Sequence, residues 1–137
     1  MPTLFVRKAD YSAEMSWRLV EWCRARGADE FGLAFLGPPY VPGSAWATLD
    51  VLLAPFRRRI ASAGDRWLLT GESLAALRSV MAEGLFSAGP GEAAPADPTV
   101  YRGGTAFLAV VTRDGQGVFE MRPEDADSLD RAGLPYH

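Results

Sequence analysis

The stretch Thr105-Ala106-Phe107-Leu108-Ala109-Val110-Val111-Thr112-Arg113, then Asp114-Gly115-Gln116-Gly117, then Val118-Phe119-Glu120-Met121, decides the reading of this chain. Both outer runs are rich in β-branched and aromatic residues, and the four residues between them are turn formers. The segment therefore predicts a β-hairpin. A hairpin is half of an architecture, because its apolar side must be covered by another layer. After it, Pro123 opens a short helix that runs through Arg131 and stops at Gly133. Before it, Ser87 to Gly104 is dominated by Gly, Pro and Ala and reads as a flexible loop at about 87–104.

Further upstream the pattern alternates between strand and helix. Residues 3–8 predict a short strand, and Asp10 or Ser12 can cap a helix running to about Arg26. Tyr11, Met15, Leu19, Trp22 and Cys23 recur at three- and four-residue spacing and form its apolar stripe. Glu30 to Leu36 predicts a strand with both faces apolar, hence central in its sheet. Gly37 to Gly43 holds three prolines and is irregular. Ser44 caps a second helix with Trp46, Leu49, Leu53, Phe56 and Ile60 on one stripe, split at Pro55. Arg66 to Leu69 is a short strand or extended link, and Thr70 caps a third helix over about 71–85. No internal repeat is present.

The order β-α-β-α-α-β-α, a long loop, then β-β-α predicts an α+β fold, with mixed α/β as the neighbouring possibility. The expected form is a single-domain sandwich over residues 1–137, with three to four helices on a four- to five-stranded sheet. The length of 137 residues fits one domain with its own core.

Composition narrows the function classes. Acidic and basic residues number 17 and 14, a balance that argues against a nucleic-acid partner. All the basic residues but Lys8 are Arg, Asn is absent and Ile60 is the single isoleucine, the signature of a GC-rich, bacterial genome. The lone Cys23 leaves no internal disulfide and no cysteine zinc site, and the one histidine, His137, leaves no histidine-based catalytic triad. No segment reads as a signal peptide or a membrane span, so the expected address is the cytoplasm with no membrane partner. No motif implies a cofactor or a metal.

Most of the residues that could carry chemistry also have plain structural roles. Cys23 lies on the apolar stripe of the first helix and reads as a buried hydrophobe. The run Glu124 to Asp130 lacks the glycine and the terminal glutamate of a calcium loop and reads as the acidic first turn of a helix. Arg57-Arg58-Arg59, taken as helical, spreads around the helix and faces no single ligand. Asp29, Glu30, Asp65, Glu72 and Glu120 are possible acid/base groups whose convergence the sequence does not give. Two loops carry binding signals: Tyr40 and Trp46 around the proline-rich segment, and Tyr101 with Arg102 before Gly103-Gly104.

The expected function is a protein-interaction module without catalysis of its own, of the inhibitor or immunity type, binding another protein through Tyr40, Trp46, Tyr101 and Arg102. A homo-oligomer is a further possibility. The alternative is a small-ligand-binding domain or small enzyme using carboxylates and Arg102, with the 87–104 loop as a lid.

Overall fold

A computed structural model describes residues 3–36, 43–60, 64–87 and 94–137. Within the described residues, seven strands form one sheet: β1 (Thr3–Arg7), β2 (Glu30–Leu36), β3 (Arg57–Ile60), β4 (Gly64–Leu68), β5 (Ala94–Arg102), β6 (Thr105–Val111) and β7 (Gln116–Glu120). Their order is β1-β7-β6-β5-β2-β4-β3, and every pair is antiparallel. Four helices accompany them: α1 (Ala13–Ala25), α2 (Ala45–Leu53), α3 (Gly71–Val80) and α4 (Pro123–Arg131). The class is α+β as expected, but the sheet has seven strands where four to five were expected.

Local chemistry starts the helices where the sequence indicates. Ser12 Oγ accepts the Met15 N–H at 3.1 Å, and Ser44 Oγ accepts that of Ala47 at 3.2 Å. Thr70 and Ser73 cap each other's backbone N–H groups at 3.1 and 2.8 Å. α3 stops at Val80, short of the expected 85, because tertiary bonding claims the following segment. The Leu85 N–H donates to Ser16 Oγ on α1 at 2.9 Å, and Leu85 and Phe86 enter the core.

Two strands replace other expectations. Pro55 does end α2, yet a single 3-10 turn over Ala54–Phe56 follows instead of a second helix. Arg57–Ile60 then pairs with β4 along its whole length (Arg57↔Trp67 to Ile60↔Gly64), so backbone pairing overrides the apolar periodicity. The second is β5, which occupies 94–102 of the segment read as a loop. Pro98 is tolerated through a bulge, while Pro95 pairs in register with Phe35. Gly32 pairs with Thr99 and Ala34 with Ala96, so Asp97 and Pro98 together face Leu33. Asp97 adopts φ 49°, its N–H donates to Thr112 Oγ1 at 2.8 Å, and its Oδ1 accepts the Thr112 N–H at 2.8 Å. Pro98 thus sits where the ladder needs no donor.

Strand alternation gives the sheet two unlike faces. Val6, Phe31, Trp67, Val100, Leu108, Val110 and Phe119 point to the helix layer and are buried in one contiguous cluster with Trp17, Leu19, Leu49, Leu74 and Leu129. A second bulge, opposite Val100 and Tyr101, turns both Phe107 and Leu108 into that layer. Phe107 stacks on Trp22 of α1 at 5.8 Å, and Phe119 meets the same ring edge-on. The opposite face carries Phe5, Leu68 and Val111, each more than a third exposed, and no described helix lies over it.

Candidate functional site

Tyr101 and Arg102 are neighbours on β5, so the pleat sends them to opposite faces. Arg102 enters the helix layer. Its two Nη atoms hold the Asp125 carboxylate at 3.2 and 2.9 Å, and its guanidinium lies 3.9 Å above the Phe107 ring centroid. Arg26 reaches the same carboxylate with Nε at 2.9 Å and Nη2 at 2.8 Å. The Arg122 N–H adds a bond of 3.1 Å from the start of α4. Burial by itself would raise the Asp125 pKa, but the bonds from Arg102, Arg26 and Arg122 outweigh it and hold the carboxyl at about 2. This node ties α1, β5 and α4 together around a carboxylate that is 1 % exposed. Beside it lies a cavity of 360 Å³ lined by Arg102, Thr105, Phe107, Glu120 and Arg122. Arg102 braces the fold, because its charge is already committed to Asp125.

Tyr101 faces the uncovered side and builds a different cluster. Arg66 of β4 places its guanidinium 3.6 Å above the Tyr101 ring centroid. The ring also lies against Gly32 of β2, where an added Cβ would stand 3.4 Å from Tyr Cε2, so the missing side chain lets the aromatic ring rest on the strand. Glu30, the register partner of Tyr101 on β2, is 5 % exposed and faces Arg58 at 3.0 Å and Arg66 at 3.9 Å. The Arg66 Nε is buried without a hydrogen-bond partner. β4 pairs with β2 only at Glu30 and Phe31. A 230 Å³ pocket lined by Gly32, Ala34, Asp65, Asp97, Thr99 and Tyr101 lies beside this short contact.

The other sequence candidates are scattered. Trp46 is in the core, 8 % exposed, edge-on to Trp67 at 6.1 Å, so it has no surface to offer a partner. Tyr40 lies outside the described residues. Cys23 is fully buried, and that burial pushes its thiol well above the usual range, as expected of an inert residue. In the acidic run, Asp125 is absorbed by arginines, and no cluster of three or more His, Cys, Asp or Glu among the described residues could hold a metal ion. His137 is placed, with Nε2 2.9 Å from Asp10 Oδ2 and its backbone paired to Phe5. The lid reading does not extend to 94–102, which is an inner strand.

The residues missed by sequence reasoning are Arg58 and Arg66. Arg57-Arg58-Arg59 reads as helical in the sequence, and Arg66 falls in a short strand or extended link with no role assigned to its side chain. The signal was available: two short extended runs, Arg57 to Ile60 and Arg66 to Leu69, separated by Gly64-Asp65, are a hairpin pattern. No protein family, curated protein or solved structure matches this chain. The site must speak for itself. Among the described residues, no helix is long and apolar enough to cross a membrane.

Proposed function

We propose that this protein is a protein-interaction module that docks its partner on the uncovered face of the sheet, centred on Tyr101 and Arg66. The observation that carries the reading is the Gly32–Tyr101–Arg66 stack. An aromatic ring and a guanidinium, both partly buried, are held in place on a face that no described helix covers before any partner arrives. Tyr and Arg are the residue types that dominate interface energetics, and a side chain already fixed loses little entropy on binding. Phe5, Val111 and Leu68 add apolar contact area on the same face. An inhibitory or immunity-type role belongs to this reading as one form of it.

The second reading, a small-ligand site, draws on the 360 Å³ cavity beside Arg102, which is at the small end for a ligand pocket. It is the weaker one, because Asp125 already occupies the cation that would recognise an anionic ligand.

The test is native mass spectrometry of the tagged protein isolated from its source cells under low salt. Three chains are compared: the natural sequence, Tyr101→Ala, and Arg78→Ala as a distant surface control. A polypeptide complex lost in Tyr101→Ala and kept in Arg78→Ala is expected. A complex that survives Tyr101→Ala, a small-molecule adduct in its place, or a bare chain throughout overturns the reading.

A further inference from the structure

We propose that the outer edge of β3 takes up an extended acidic segment of the partner protein as an eighth strand. The proposal rests on the interaction-module reading and names the kind of partner it would bind. The sheet has two edges, and they are treated differently. At β1 the Phe5 N–H donates to the His137 carbonyl at 2.9 Å and the His137 N–H donates to Phe5 O at 2.7 Å, so the middle of that edge is occupied by the chain itself. At β3 no described strand lies on the outer side. Antiparallel pairing with β4 satisfies only the inward backbone groups, which leaves alternate N–H and C=O groups of Arg57–Ile60 directed outward.

The charge on this edge selects the occupant. Two ion pairs here are arranged with the cation outward, while Arg57 also meets the exposed Asp65 at 3.8 Å. Arg58 is 52 % exposed against 7 % for its partner Glu30, and Arg57 is 38 % exposed against 19 % for Asp50. A segment approaching β3 along the uncovered face therefore meets the Arg58 guanidinium first, and carboxylates on alternate residues would lie opposite it. Arginine suits this role because its planar fork can accept a second carboxylate while one Nη holds the first. A second copy of this chain pairing β3 to β3 would set like charges against each other, which disfavours self-association by this route.

The experiment measures fluorescence anisotropy of the full chain with a labelled seven-residue peptide of alternating Glu and Val. The comparisons are its Lys/Val counterpart and two Glu/Val forms N-methylated at every second residue, one in each frame. The acidic peptide is expected to bind at least about tenfold more tightly than the basic one, with the difference shrinking at high salt. One methylation frame should remove binding, since it blocks the backbone edge that meets β3. Arg58→Gln, with its fold checked by circular dichroism, should lose most of the acidic preference. Equal binding of acidic and basic peptides, or binding indifferent to both methylation frames, overturns the proposal without relying on any variant. If the natural partner is captured through Tyr101 while the acidic peptide is ignored, the edge proposal alone falls. If the peptide binds but partner capture is indifferent to Tyr101→Ala, the open-face reading falls and the edge stands.

Discussion

Replacing Asp125 with Asn isolates the charge of the buried node while nearly preserving its shape. Asp125 is 1 % exposed and accepts from three groups at 2.8 to 3.2 Å, and two of these are guanidinium ions. Removing one partner from a buried ion pair typically costs about 3–5 kcal/mol. Arg26 and Arg102 keep side-chain exposures of 30 % and 18 %, so water takes up part of the orphaned charge and a loss of about 2–3 kcal/mol is expected at neutral pH. The titration gives a second route to the same size. The carboxyl is held at about 2 in the folded chain against an ordinary 3.8, a gap worth about 2 kcal/mol. Because the folded value is depressed, this stability is fully present above the ordinary value and fades as pH falls toward the folded one. Urea unfolding of both proteins from neutral to acid pH should show the gap between natural and Asn chains shrinking to roughly half by about pH 3. A gap that stays constant down to that pH, or one below about 0.5 kcal/mol at neutrality, would refute the assignment of the node as a charge-held brace.

Trp46→Ala should cost about 3–5 kcal/mol of stability, read by thermal or urea unfolding, because the indole is buried edge-on to Trp67. A near-neutral result would return Trp46 to the list of surface contacts. Gly117→Ala should destabilise by about 1–3 kcal/mol, since the new methyl would lie 2.8 Å from Val6 Cγ2 and 3.0 Å from Leu108 Cδ1. A variant melting at or above the natural protein would show that this part of the core can relax.

The helices were legible because their start signals are chemical and local. Ser12, Ser44, Thr70 and Pro123 begin helices in the structure as they do in the sequence. The β6–β7 hairpin was legible for the same reason, although its turn begins earlier and contains a 3-10 segment at Thr112–Asp114. β5 was not, because its composition is that of a loop. What makes 94–102 a strand is pairing with β2 and β6, together with the exchange of hydrogen bonds between Asp97 and Thr112, none of which leaves a local trace. β3 failed for a related reason, since three arginines carry no periodicity until Glu30, Asp50 and β4 supply partners. For the site, the binding signal at Tyr101 and Arg102 was readable, but alternation separates the pair, and the hairpin pattern that holds Arg66 does not tell that it meets Tyr101 until β4 is laid beside β2.

The pairing of β1 with β7 has a kinetic consequence. Thr3 lies opposite Glu120, and Phe5 exchanges bonds with His137, so β1 waits during synthesis for residues more than a hundred positions later. Glu30 waits in the same way for Tyr101. A sheet whose contacts close such long loops folds on the order of milliseconds to seconds, and its ordering is deferred until most of the chain has emerged. During synthesis Leu4, Val6 and Phe31 remain without their neighbours, which makes this interval, rather than the finished fold, the stage most open to misassembly and most dependent on chaperone cover.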